Sequence, residues 1–127
     1  MSGLWRLTIT QDFSASHQLR HYGGKCEALH GHNFAVEVVV EGESLDERVH
    51  YLMDFKELKG LTRRVLDELD HTHLNELECF RQRNPSSENL ARHVYQALRD
   101  LLPGTVRLAE VSVSEKASSK ATYRETP

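Results

Sequence analysis

Apolar and polar residues alternate along residues 4–15. Trp5, Leu7, Ile9 and Phe13 fall on one side, with Arg6, Thr8, Thr10 and Asp12 on the other. A period of two predicts a half-buried strand, and His17 follows at its end with the parity of Trp5 and Phe13. Residues 18–29 include Tyr22-Gly23-Gly24-Lys25 and read as a loop. A second strand is predicted from His30 through Phe34, Val36, Val38 and Val40, with Glu37 and Glu41 on its opposite face. The polar turn from Gly42 to Arg48 follows, and the two strands are expected to pair as a long antiparallel hairpin. Val49 to Met53 is expected to be briefly extended.

The period then changes. Asp54 with Glu57 three residues on is a helix-start signature, and Leu58, Leu61, Val65, Leu66 and Leu69 form one helical stripe that stops near Asp70. A loop over residues 70–85 carries Asp70, His71, His73 and Asn75. Ser86 caps a second helix with Glu88 in its first turn, striped by Leu90, Val94, Ala97, Leu98 and Leu101 and ended by Pro103-Gly104. A third strand covers roughly 105–115, and its parity shift between Leu108 and Val111 predicts a bulge. A short fourth strand is expected at Thr122 to Arg124. The order β-β-α-α-β-β predicts one α+β domain over residues 1–127, an antiparallel sheet with two helices on one face. Its open sheet edges point to a symmetric homo-oligomer.

Composition narrows the function classes. The chain has 127 residues, 39% hydrophobic and 28% charged, ordinary for a globular protein. A formal charge of −3 argues against a general nucleic-acid binder. No apolar run is long enough for a membrane span and no export signal is visible, so a cytoplasmic protein with Cys26 and Cys79 as free thiols is expected. Eight histidines in so short a chain are the oddity, and five of them (His17, His21, His30, His32, His71) lie in or near polar motif segments.

His30 and His32, on either side of Gly31, project from the same side of an extended chain. With His17 they make three imidazoles around a common point, and Cys26 lies four residues before His30. Zinc on three neutral imidazoles keeps its full charge and a free position, the catalytic arrangement, and polarises substrate oxygens. A His-x-His pair read alone is a weak signal, and incidental polar residues are the plain alternative. Non-haem iron would prefer two histidines and a carboxylate. Cys26 has two readings: a proton-transferring thiol, or a fourth ligand that closes the site. Asp70-His71 is an acid–base pair in which the carboxylate orients the imidazole, or else a helix-end cap beside a surface histidine. His73 is expected to pack or hydrogen-bond locally and Cys79 to be a plain thiol. Glu115 shares a face with Val111 and Val113; a ligand with two parallel N–H groups would satisfy its carboxylate, and a solvated strand end is the alternative. Lys25, Arg20, Lys116 and Lys120 are candidates to hold phosphates by charge, with solvated surface the alternative for each.

Taken together these motifs resemble the 6-pyruvoyl tetrahydropterin synthase family. They are Phe13-x-Ala15-x-His17, Cys26-x-x-x-His30-Gly31-His32, Met53-Asp54-Phe55, Leu69-Asp70-His71-x-x-Leu74-Asn75, Asn84-Pro85-Ser86-Ser87-Glu88-Asn89, and Glu115 with Tyr123-Arg124. The three residues between Cys26 and His30 are most similar to the bacterial 6-carboxytetrahydropterin synthase branch, of queuosine biosynthesis. The pyruvoyl-forming branch typically has a longer gap. The resemblance implies the tunnelling fold (T-fold), with trimers that stack into a homohexamer and active sites between subunits. It implies Zn2+ on His17, His30 and His32, proton transfer by Cys26 with Asp70 and His71, and a pterin anchored by Glu115. The implied reaction converts dihydroneopterin triphosphate to 6-carboxytetrahydropterin, releasing acetaldehyde and triphosphate. Serine at position 86, where threonine is common in the family, retains a capping hydroxyl. A pyruvoyl-forming synthase and a non-catalytic zinc-stabilised binding module are the competing readings.

Overall fold

The two alternating segments become the longest elements. In the computed structural model, which describes residues 3–24 and 28–126, β1 (Trp5–His17) and β2 (His30–Gly42) pair antiparallel. Their register runs unbroken from Trp5 opposite Gly42 to His17 opposite His30. The pairing therefore carries the odd residues of β1 and the even residues of β2 onto one face. Ile9, Phe13, Phe34, Val36, Val38 and Val40 are buried there. Trp5 is on the same parity but remains 52% exposed, so the strand's first residues lie outside the core.

Helices α1 (Phe55–Leu66) and α2 (Ser87–Arg99) have the caps their sequences announce. The Asp54 carboxylate accepts from the Lys56 amide and the Ser86 hydroxyl from the Asn89 amide, each satisfying an otherwise orphaned donor. Leu58, Val65 and Leu66 of α1 and Leu90, Ala91, Val94 and Leu98 of α2 are buried against the sheet. α1 ends four residues earlier than its stripe suggests, and turns cover the rest as far as His71. Leu69 is still buried, so the apolar spacing reports packing beyond the last helical residue.

Strands β4 (Arg107–Lys116) and β5 (Ser119–Tyr123) complete a sheet in which β4 pairs with β2. β5 begins earlier than expected and excludes Arg124. The predicted bulge is present: Val40 faces Leu108 but Val39 faces Glu110, leaving Ala109 as the extra residue. Val49 to Met53 forms turns and bends and no strand.

The expected four-strand order needs one correction. A two-residue strand, β3 (Thr72–His73), pairs in parallel with Ala15 and Ser16, giving five strands in the order β3-β1-β2-β4-β5. Two residues carry no readable period, and pairing with the end of β1 creates the strand. Among the described residues no helix is long and apolar enough to cross a membrane.

Candidate metal centre

The strand register assembles the site. His17 ends β1 directly opposite His30, which begins β2, and His32 is opposite Ala15. All three imidazoles thus extend the core-facing side of the sheet, with ring centroids 4.5, 4.8 and 5.5 Å apart. Glu115 joins them from β4, because the extra residue at Ala109 reverses which face the later β4 residues occupy. Beyond it Val111 and Val113 oppose the buried Val38 and Val36, so the next odd residue, Glu115, points to the histidine side. One ligand atom from each of His17, His30, His32 and Glu115 lies within 4.8 Å of the others.

Hydrogen-bond chemistry shows that this cluster fits a cation. His17 Nδ1 is 2.7 Å from the Pro85 carbonyl oxygen, and His30 Nδ1 is 2.7 Å from that of Ala28. Carbonyl oxygens only accept, so in both rings Nδ1 carries the proton and the neutral ring presents its lone pair at Nε2. Such outer partners commonly orient metal-binding imidazoles. Burial pushes the His17 pKa below its usual value, against the Pro85 carbonyl and the Glu115 carboxylate, and so favours the neutral ring. Its Nε2 is buried and has no hydrogen-bond partner, yet it stands 3.1 Å from a Glu115 oxygen. The other Glu115 oxygen is 3.3 Å from His32 Nε2. A lone pair facing a carboxylate is repulsive without a positive charge between them. Three imidazoles and a carboxylate suit zinc or a similar divalent ion.

The floor beneath the histidines is aromatic. Phe34, fully buried, stacks on Phe13 at 4.9 Å and meets the rings of His17 and His32 edge-on at 5.2 and 5.7 Å. The segment after His17 is held by two side-chain amides that imitate a neighbouring strand. Asn75 bonds both the amide and carbonyl of Gln18, and Asn84 does the same for Arg20. These asparagines sit in the motif segments of the sequence, but their clamping role has no local signature there. Arg20 turns its guanidinium to the Phe80 and Arg83 carbonyls, which marks it as a structural residue and removes it from the phosphate candidates.

Asp70 and His71 are brought together at the sheet edge. The Asp70 carboxylate accepts from the Ser14 amide at 2.8 Å and contacts His71 Nδ1 at 3.1 Å. The His71 amide donates to the Ser14 carbonyl, and its backbone is left-handed with φ of 59°. His71 and His32 line one open cavity of about 620 Å³, together with His73, whose Nδ1 lies 3.0 Å from the Ser16 hydroxyl. This bond to the adjacent strand is the hydrogen-bonding alternative expected of His73.

The Ser14 amide, followed by the nearby His71, holds the Asp70 pKa below the usual carboxylate range. A depressed carboxylate pKa contributes stability that is complete above the unfolded value of about 4 and is lost as pH falls through the folded one. Asp70→Asn is therefore expected to show a shallower fall of melting temperature on acidification below about pH 4. Melting curves of the two proteins at a series of pH values check this.

Of the remaining sequence candidates, Cys26 and Lys25 lie outside the described residues. Lys116 and Lys120 border a cavity of about 240 Å³ shared with Ser87 and Glu115 at the start of α2. Cys79 is an exposed free thiol whose pKa burial pushes up, in keeping with a plain thiol.

The α+β fold thus gathers at one end of its sheet three histidines and a glutamate that could hold a metal ion, beside an open cavity. Residues 6–126 match the 6-pyruvoyl tetrahydropterin synthase family, and the chain belongs to it. It is 39% identical over 110 residues to the dihydroneopterin monophosphate aldolase of Pyrococcus furiosus, covering 87% of this chain and 89% of that one. It is 35% identical over 124 residues to the 6-carboxy-5,6,7,8-tetrahydropterin synthase of Synechocystis, covering 94% and 93%. The structure of Caenorhabditis elegans 6-pyruvoyl tetrahydropterin synthase superposes with a TM-score of 0.87 at 27% identity, over 98% of both chains.

Proposed function

We propose that this protein is a zinc-dependent 6-carboxytetrahydropterin synthase acting in queuosine (7-deazapurine) biosynthesis. Its substrate is 7,8-dihydroneopterin triphosphate, and it releases acetaldehyde and triphosphate. The observation that carries the reading is the convergence of ring nitrogens of His17, His30 and His32 on a point beside Glu115. The branch assignment rests on the three-residue gap between Cys26 and His30, and on relatives of that name in Synechocystis and Bacillus subtilis, each 35% identical.

In this reading the whole chain is one domain, and His17, His30 and His32 hold the ion. When bound, zinc would polarise the side-chain oxygens of the substrate and acidify the adjacent C–H bonds. Glu115 accepts two parallel N–H groups of the pterin ring, which fixes its orientation. Cys26 and His71 transfer protons while triphosphate leaves and the carbon–carbon bond breaks, and Asp70 keeps the His71 ring in place. The active form is a cytoplasmic homohexamer, a dimer of trimers whose sheets join at their open edges.

A second reading, aldol cleavage of dihydroneopterin monophosphate, is favoured by the 39% identity to the Pyrococcus furiosus aldolase. Purified zinc-loaded protein incubated with each phosphate ester in turn, with products separated by mass, decides between them. Acetaldehyde and 6-carboxytetrahydropterin from the triphosphate are expected. A pyruvoyl product without acetaldehyde, or turnover of the monophosphate alone, would overturn the assignment. Cys26→Ala is expected to keep its zinc while activity falls about 10²–10⁴-fold, the usual contribution of a positioned proton donor. Loss of zinc with unfolding would instead identify a closed structural site.

A further inference from the structure

Glu115 faces two ways. On one side both carboxylate oxygens are engaged with histidines, Oε1 at 3.1 Å from His17 Nε2 and Oε2 at 3.3 Å from His32 Nε2. On the other side the same residue lines the 240 Å³ cavity with Ser87, Glu88, Lys116 and Lys120. We infer that Glu115 caps the metal as its fourth ligand in the empty enzyme and is drawn off into this cavity when a pterin ring enters. The substrate itself would then open the coordination position it uses. The inference rests on the zinc site and pterin substrate proposed above, and adds how access to that site is controlled.

Three observations converge on this. Bonds of about 2.0–2.1 Å in a tetrahedral site place neighbouring ligand atoms about 3.3–3.4 Å apart, and each Glu115 oxygen is near that distance from one imidazole, Oε1 from His17 and Oε2 from His32. The Pro85 carbonyl takes the Nδ1 proton of His17 and aims its Nε2 lone pair inward, so at His17 the carboxylate meets an acceptor and not a donor. A carboxylate retained there belongs on an ion. The Glu115 side chain is also 22% exposed and near the end of β4, and it pairs with the two imidazoles of the cluster. Rotation about its own side-chain bonds carries it from the ion towards the cavity, which Lys116 and Lys120 line together with Glu88, and Lys120 also pairs with Glu37 at 3.4 Å.

The chemical consequence is selectivity. A ring that presents paired N–H groups offers Glu115 a bidentate partner in exchange for the ion. A simple anion such as phosphate or acetate offers no such pair and competes poorly for a capped metal. The ion would thus remain shielded from stray anions until the correct ring arrives.

Cobalt-substituted protein and a zinc-affinity measurement test this without reference to turnover. The visible absorption of cobalt(II) reports its ligands, so the wild-type band is expected to shift when neopterin, a phosphate-free pterin, is added. Inorganic phosphate should leave that band unchanged. In Glu115→Gln the band should already differ in the empty protein and should respond to phosphate. Zinc affinity by chelator competition should fall at least about 10–100-fold, the loss typical of even an outer-shell partner. Glu115→Asp, which keeps the charge but is shorter, should share the altered band, and melting curves establish that both variants fold. A Glu115→Gln protein with wild-type spectrum and affinity would overturn the capping role. If His32→Ala still loses the metal, the zinc reading survives that result. A wild-type protein that binds neither zinc nor cobalt overturns both.

Discussion

Replacing His32 with alanine is expected to abolish stable zinc binding and to lower activity by at least about 10³-fold. The figure follows from the several kcal/mol a metal ion contributes to stabilising developing charge, at about 1.4 kcal/mol per factor of ten. The fold should tolerate the change, because the His32 side chain is 27% exposed and at the start of a strand whose pairing is made by backbone bonds. Metal content after dialysis, activity, and circular dichroism of the same preparation check the three parts together. A variant that retains one tightly held zinc per chain would show that His32 is not a ligand. His30→Ala should behave in the same way.

Phe34→Ala should be the most destabilising single change near the site. The side chain is fully buried and stacked on Phe13, and truncating such a residue costs about 3–5 kcal/mol. For a domain of this size that is a fall of roughly 10–20 °C in melting temperature. The loss should also reach the metal centre, because the rings of His17 and His32 rest against the Phe34 edge. Zinc affinity measured well below the new melting point is expected to drop, while Phe34→Leu, which keeps much of the volume, should lose less on both counts. Unchanged affinity in Phe34→Ala would mean that the strand ladder and the Pro85 carbonyl hold the histidines without help from packing.

Much of this architecture is written in local pattern. Strict alternation in β1 and β2, the caps at Asp54 and Ser86, and the parity shift that becomes the bulge at Ala109 are all short-range features. Each is set by backbone geometry acting on neighbouring residues, so each can be read without knowing what lies across the sheet. The His30-Gly31-His32 pair belongs to this group, since an extended chain alone puts both rings on one side. Less legible was the segment of residues 70–85. Its two-residue strand and the Asn75 and Asn84 clamps depend on β1 running alongside, and nothing periodic announces them.

The residue whose surroundings were hardest to foresee is Glu115. Its face follows from one extra residue six positions earlier in β4, and its neighbours from the register between β4 and β2. Alternation along the chain established that His17 would share a side with Ile9 and Phe13, and His30 and His32 with Phe34, Val36, Val38 and Val40, because side-chain direction in a strand is a local property. Which carbonyls orient those rings, and that a carboxylate would stand among them, was decided only when distant strands came into register. The hydrogen bond between Pro85 and His17, 68 residues apart, has no counterpart in any short stretch of the chain.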